Sequence, residues 1–345
     1  MYGNRRSFLA GAAGASVTAV MGKAHAVPHG TKSPFPATHH LRILVLGDSG
    51  TGALPQWRVA DAARALHNDR PFSCALGLGD NLYDYGPWSD DDSQFYAKFE
   101  NPYHGLDFPW MMVQGNHDNS ALIPGDGAWL LRGDREVRYH SRSTRWHMPS
   151  RYYSVRIPEV DPLVEFFILD LNPLAVYQPP PLIPYWSSNG QFMTEQAAWL
   201  NDALAQSPAQ FKVACTHHPY LSNGPHGNAG EYEGSPIDIV NGREVKLFFE
   251  RHVLGRCQLI LSGHDHTLQV LEPSAASMGT RQIVSGAGAK SAHTTSPGSN
   301  PAIFQNHSDL GFMALELTTD SAELEVYTVD ITQGSATMVF RRSLL

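Results

Sequence analysis

Cysteine is scarce in this chain. Its 345 residues include three, Cys74, Cys215 and Cys257, an odd number without zinc-type spacing, which excludes a disulfide scaffold. Each sits in or beside an apolar run, as small buried residues do. Positive charge is also short. There are 25 Lys and Arg against 33 Asp and Glu, a net charge of −8, so general binding of nucleic acid or anionic membrane is not expected. Beyond the first 26 residues no stretch is apolar and long enough to cross a bilayer. Internal repeats and a convincing linker are missing too, so one domain over 41–345 is expected, behind a Pro/Gly-rich leader at 27–40.

The N-terminus is the exception to this plainness. Arg5 and Arg6 precede Ser7, Phe8 and Leu9, a Gly/Ala-rich apolar run continues to Met21, and Ala24-His25-Ala26 closes it. That is the layout of a secretory signal, and the paired arginines before Phe-Leu point to twin-arginine export. Cleavage after Ala26 removes Arg5, Arg6 and Lys23 and no acid, taking the net charge from −8 to −11. A periplasmic or secreted protein is the expectation.

Apolar runs recur through the rest: RILVL at 42–46, CALGL at 74–78, WMMVQ at 110–114, EFFILD at 165–170, FKVAC at 211–215, CQLIL at 257–261 and RQIV at 281–284. Helical periodicity lies between several of them. Val59, Ala63 and Leu66 share one face, as do Ala197, Leu200 and Leu204, and Val245, Phe248, Phe249 and Val253. This alternation predicts an α/β fold whose mixed sheet has buried strands. From residue 312, MALEL, AELEVYTV and TMVF read with period 2, as antiparallel strands closing a second sheet. The Pro-rich stretch 172–190 reads as an irregular loop whose prolines forbid a helix. Its length and its aromatics, Tyr185 and Trp186, pose two alternatives, a packed lid leaning on a cleft or a loop pinned to the body.

The chemistry sits just beyond the strand ends. RILVL runs into Gly47-Asp48, CALGL into Gly79-Asp80-Asn81 with Tyr83 beyond, and WMMVQ into Gly115-Asn116-His117-Asp118. FKVAC runs into Thr216-His217-His218, and CQLIL into Ser262-Gly263-His264-Asp265-His266. A lone Asp after a strand is commonly a helix cap, and a lone buried His a satisfied core residue. Five such strand ends in order are another matter, because open α/β sheets assemble their sites there. Carboxylates, an amide, imidazoles and a phenol together supply donors for two hard or borderline ions. Two ions about 3.5–4 Å apart clamp both oxygens of an in-line displacement at phosphorus.

The motifs GDSG, GDNLYDYG, GNHD, the His pair before a proline and GHDHTLQ resemble those of the purple acid phosphatases, the small tartrate-resistant type, within the calcineurin-like metallophosphatase superfamily. The resemblance covers roughly residues 41–290, with RWHMPSRYY at 145–153 and SGAG at 285–288 also similar. It implies two packed mixed β-sheets forming a sandwich flanked by helices, in four layers. It also implies Asp48, Asp80, Tyr83 and His266 around a ferric ion, with Asp80, Asn116, His217 and His264 around a divalent ion (Fe, Zn or Mn) and Asp80 bridging. His117 and His226 match family histidines that face the substrate and serve the leaving group. Asp118 and Asp265 are expected to orient imidazoles. His218 stands where the mammalian proteins have an aromatic residue. A phenol ligates near neutral pH only beside a strongly polarising cation, which accounts for Tyr83. The six arginines from Arg132 to Arg151 read as a solvated loop or as a basic rim for phosphorylated substrates, and His140 and His147 as structural. The implied reaction is hydrolysis of phosphate monoesters by hydroxide held on the metals. A phosphodiesterase or nucleotidase on the same scaffold, and an envelope phosphate- or metal-binding protein without turnover, are the alternatives.

Overall fold

The computed structural model describes residues 33–127, 132–178, 180–238, 240–293 and 298–344. The signal-peptide reading of residues 1–26 therefore lies outside the described residues. The strands are β1 (Leu41–Leu46), β2 (Cys74–Leu78), β3 (Trp110–Val113), β4 (Trp146–His147), β5 (Tyr153–Ile157), β6 (Val164–Ile168), β7 (Phe211–Cys215), β8 (Leu259–Ser262), β9 (Leu268–Leu271), β10 (Arg281–Ser285), β11 (Ala302–Asn306), β12 (Leu310–Leu317), β13 (Ala322–Asp330) and β14 (Ser335–Ser343). The helices are α1 (Leu54–Asp69), α2 (Ser93–Phe95), α3 (Asn116–Asn119), α4 (Gly133–Tyr139), α5 (Asn172–Ala175), α6 (Ile183–Trp186), α7 (Gln191–Gln206) and α8 (Arg243–His252).

The strands form two seven-stranded mixed sheets, ordered β14-β13-β12-β1-β2-β3-β4 and β11-β9-β10-β8-β7-β6-β5. In the first, β1, β2, β3 and β4 run parallel. In the second, β6, β7, β8 and β10 do. These parallel strands read as continuous apolar runs because both faces are covered, and every residue of β1, β2, β3 and β8 is buried. Apolar residues of the two sheets, among them Ile43, Leu76, Met112, Phe166, Val213 and Leu261, form one core between them. A second core lies outside the second sheet, where Phe167, Ala214 and Ile260 meet Leu200 of α7 and Phe249 of α8. The periodic faces read from the sequence are the buried ones: Val59 and Ala63, Leu200 and Leu204, Val245, Phe248 and Phe249. Phe35, late in the leader, is buried in the first core and packs edge-on against His147.

Two expectations are corrected. The C-terminal strands are antiparallel as read, but they do not close a second sheet. β12 pairs with β1, from Leu41↔Leu317 to Val45↔Met313, so β12, β13 and β14 extend the first sheet. The second sheet is built from β5 to β11. The stretch 172–190 is not free of helix either: α5, a 3-10 turn at Pro180–Leu182 and α6 lie within it. Both short helices carry proline in their first turn, where the missing N–H has no intrahelical partner to lose.

Candidate metal centre

Strands β1, β2, β3, β7 and β8 deliver their following loops to one edge of the sandwich. The turns there are sharp. Asp48, Asp80 and His264 are left-handed, at φ 58°, 53° and 69°, a conformation uncommon outside glycine and tolerated where surrounding contacts enforce it. The contacts are present. Asp48 N–H donates to Gly79 O (2.9 Å), Gly50 N–H to Asp80 O (3.1 Å), and His264 N–H to Asp48 Oδ2 (2.8 Å). Glycine is required at 115 because a Cβ there would lie 2.1 Å from Asp80 Oδ1.

The side chains meet in two groups. Tyr83, 4% exposed, donates its hydroxyl to Asp48 Oδ1 at 3.0 Å and lies 3.2 Å from His266 Nε2. His266 Nε2 is itself 3.6 Å from Asp48 Oδ1. In the second group, His217 Nε2 faces Asn116 Oδ1 at 2.9 Å, His264 Nδ1 at 3.3 Å and Asp80 Oδ1 at 3.4 Å. Ligand atoms of Asp48, Asp80 and His217 all lie within 4.8 Å of one another, so Asp80 stands between the groups.

This donor set fits cations. His217 Nδ1 donates to Leu78 O (2.9 Å), and Asn116 Nδ2 donates to Gly125 O (2.8 Å). Those bonds turn the lone pairs of His217 Nε2 and Asn116 Oδ1 toward the same point. Burial opposes charge on His217, yet Asp80 and Asp48 raise its pKa, so the point attracts a proton or a metal. Burial also opposes ionisation of Asp80, but His217 and His117 hold its carboxyl well below the usual range. Burial and the Asp48 and Asp80 carboxylates push the Tyr83 phenol well above its ordinary value, so phenolate requires a strong cation beside it. Burial, followed by the neighbouring histidines, keeps His264 neutral and fit to ligate.

His117 and His226 flank the centre. His117 Nδ1 donates to Asp84 O (2.9 Å), leaving Nε2 free to face a substrate, and its ring packs 4.4 Å from that of Tyr83. His226 stacks 4.2 Å from His264 and donates from Nδ1 to Glu233. Burial opposes its charge, but Glu233 and Asp265 lift its pKa to about 9. His218 is buried against His264 (4.4 Å), with no hydrogen-bond partner for Nδ1 among the described residues.

The expected roles of Asp118 and Asp265 are corrected, since among the described residues neither is seen hydrogen-bonded to an imidazole. Asp118 accepts from the backbone N–H of Leu82 (2.9 Å) and Gly115 (2.7 Å), tying two metal-bearing loops together. Burial and the Asp80 charge push its carboxyl up to about 7. Asp265 accepts from His226 N–H (2.9 Å) and so fixes that loop. Within the arginine stretch Arg138 and Arg142 stay half-exposed near Asp90, as a solvated segment would have them, and three others are structural. Arg151 is buried against Asp134 and Asp170, Arg145 against Glu100, and Arg132 stacks on Trp88. His140 donates to Trp146 O and packs on His147. Trp186, 2% exposed, packs on Phe192 of α7 with Tyr185 beside it, which favours the pinned alternative for residues 172–190. Sequence reasoning missed Glu233 and Lys290. The only signal near Lys290 was the SGAG motif that precedes it.

The model of the calcineurin-like phosphoesterases matches residues 41–268, and the chain belongs to that family of phosphoesterases. Within it, the chain is similar to purple acid phosphatases. Purple acid phosphatase 4 of Arabidopsis thaliana is 29% identical over 309 residues, 86% of this chain and 81% of the relative. Purple acid phosphatase 17 of the same plant is 28% identical over 309 residues, 86% and 83% of the two chains. Among solved structures the fold is shared with GAP50, the anchor in the inner membrane complex of Plasmodium, at TM-score 0.65 and 18% identity over 89% of each chain. It is also shared with PhoD, at TM-score 0.56 and 13% identity over 90% of this chain and 71% of that one.

Proposed function

We propose that this protein is an acid phosphatase with a dinuclear metal centre that hydrolyses phosphate monoesters. The observation that carries the reading is Asp80 standing between Asp48–Tyr83–His266 on one side and Asn116–His217–His264 on the other. Tyr83 favours Fe(III) in the first group, and the neutral imidazoles and amide of the second suit a divalent ion, Fe, Zn or Mn. When bound, two such ions supply the nucleophile by acidifying water and neutralise the phosphoryl oxygens. The chain's own residues do the rest. His117 Nε2 contacts the phosphate and gives the leaving oxygen a proton. His226, held by Glu233 beside His264, assists from the other side of the second group. Leu78 O and Gly125 O fix the orientation of His217 and Asn116, and Asp118 keeps the two loops in register.

The test combines colour with turnover. The isolated protein should be pink to purple from phenolate-to-iron charge transfer and should release phosphate from p-nitrophenyl phosphate in preference to its bis-ester. Tyr83→Phe should abolish the colour while much of the metal remains. A colourless, active, fully metallated wild type containing only zinc or manganese would overturn the iron assignment. A preference for the bis-ester would turn the reading to a phosphodiesterase.

Export is part of the same proposal. Twin-arginine export to the periplasm or medium rests on Arg5 and Arg6. Among the described residues no helix is long and apolar enough to cross a membrane. Replacing both arginines by lysine should trap an uncleaved precursor in the cytoplasm, and undiminished export would point to another route.

A further inference from the structure

The loop after β10 is fastened to the two loops that carry Asp48 and His266. Gly47 N–H donates to Ser285 O (2.7 Å), Gly288 N–H to Gly47 O (3.1 Å), Gly286 N–H to Thr267 O (3.0 Å) and Ala292 N–H to His266 O (2.9 Å). Between these ties sits Lys290, whose Nζ lies 3.4 Å from the centroid of the Tyr83 ring. No carboxylate pairs with that ammonium among the described residues. It also lines, with His266, His293, Asp309 and Asp330, an open cavity of 870 Å³ beside the centre. A long flexible cation normally spends its charge on water or a carboxylate. Here the backbone holds it over the face of a phenol, where the ring quadrupole attracts it.

We infer that Lys290 is a positioning residue for Tyr83: its ammonium over the ring draws electron density from the phenol and sets how strongly Tyr83 donates to the metal shared with Asp48 and His266. The inference rests on the reading of Tyr83 as a ligand. A positive charge beside a phenolate lowers its filled orbital, and a positive charge near a metal favours the reduced state. Lys290 therefore raises the energy of the phenolate-to-iron transition and raises the metal's reduction potential. Its cationic head also keeps the carboxylate-rich centre from holding the metal in its oxidised form too firmly.

The experiment compares wild type with Lys290→Met, Lys290→Gln and Lys290→Arg, each metal-loaded and checked by circular dichroism and metal analysis. Lys290→Met and Lys290→Gln should keep both metals, move the visible band to longer wavelength and lower the reduction potential, and Lys290→Arg should restore both. Turnover of p-nitrophenyl phosphate should change in kcat with KM nearly unmoved. A wild-type band that the two neutral variants leave in place overturns the inference alone. An unmoved band with a several-fold rise in KM would instead make Lys290 a substrate-binding lysine, which also overturns it. A wild type with no such band overturns the ligand reading of Tyr83, and this inference with it.

Discussion

At the scale of single residues, position divides labour among chemically similar groups. His117 and His217 are both imidazoles near Asp80, and the bond made by the other ring nitrogen separates their roles. His217 is fully inside and points Nε2 at Asn116, His264 and Asp80. His117 is partly open to solvent, and its Nε2 stays 4.0 Å from Asp80 Oδ2, too far for a shared proton. His117→Ala should therefore keep both ions and the charge-transfer colour. Turnover should fall by about 10²–10⁴-fold, the usual scale of general acid–base help. The loss should be smaller for p-nitrophenyl phosphate, whose leaving group scarcely needs a proton, than for an alkyl phosphate. Equal losses on the two substrates would make His117 a phosphate-binding residue only, and loss of metal would make it a structural one.

At the scale of elements, legibility followed burial. The parallel strands could be read because burial on both faces writes an unbroken apolar run, and α1, α7 and α8 because one buried face writes a 3.6-residue period. The candidate donors were readable for a related reason, since each comes just after a strand end, and the Asp48, Asp80, Asn116 and His264 loops open on a glycine. The short strands β4 and β11 were not, since two residues, or a half-exposed edge, leave no period to find. The partner of β12 was not legible either. Alternation fixes which face of a strand is buried, not which edge it joins, and the neighbour is decided by a pairing across more than 260 residues (Leu41↔Leu317). To the backbone ladder and the buried apolar pairs of that junction a polar cluster is added: Arg42 of β1 reaches Glu325 (2.8 Å), Arg70 reaches Glu316 (3.0 Å), and Tyr327 donates to Glu325 (2.7 Å). Prolines misled at 172–190 because first-turn proline is compatible with a helix, and the sequence does not announce which turn a proline occupies. Asp118 and Asp265 were misassigned because they accept chiefly from backbone N–H groups, which every sequence contains, with the Asn81 amide added at Asp118.

At the scale of the molecule, the proposed centre joins the two sheets. Asp48, Asp80, Tyr83 and Asn116 come after strands of the first sheet, whereas His217, His264 and His266 come after strands of the second. Between the sheets lies an apolar core, and at this edge polar ties cross from one to the other, among them His217 Nδ1 donating to Leu78 O, Gly47 N–H to Ser285 O and His264 N–H to Asp48 Oδ2. An ion held by donors from both sheets therefore binds only the assembled sandwich, not the unfolded chain. Such a ligand stabilises by about 2.7 kcal/mol at a free concentration a hundredfold above its dissociation constant. For a chain of this size that is a shift of about 4 °C in the unfolding midpoint, since an unfolding entropy of roughly 2.1 cal/mol/K per residue gives about 1.4 °C per kcal/mol. Chelation should thus lower the midpoint by several degrees, and adding back the divalent ion should restore part of it. Asp80→Ala, which removes the group standing between both donor sets, should begin at the lower midpoint and respond little to chelator. His264→Ala removes one donor of the second group and should fall between, recovering partly with excess metal. The measurement is a thermal melt with parallel metal analysis, before and after chelation. A midpoint unmoved in a wild type whose metals are demonstrably gone would mean that the core alone fastens the sheets, and that the centre is bound to the fold without holding it together.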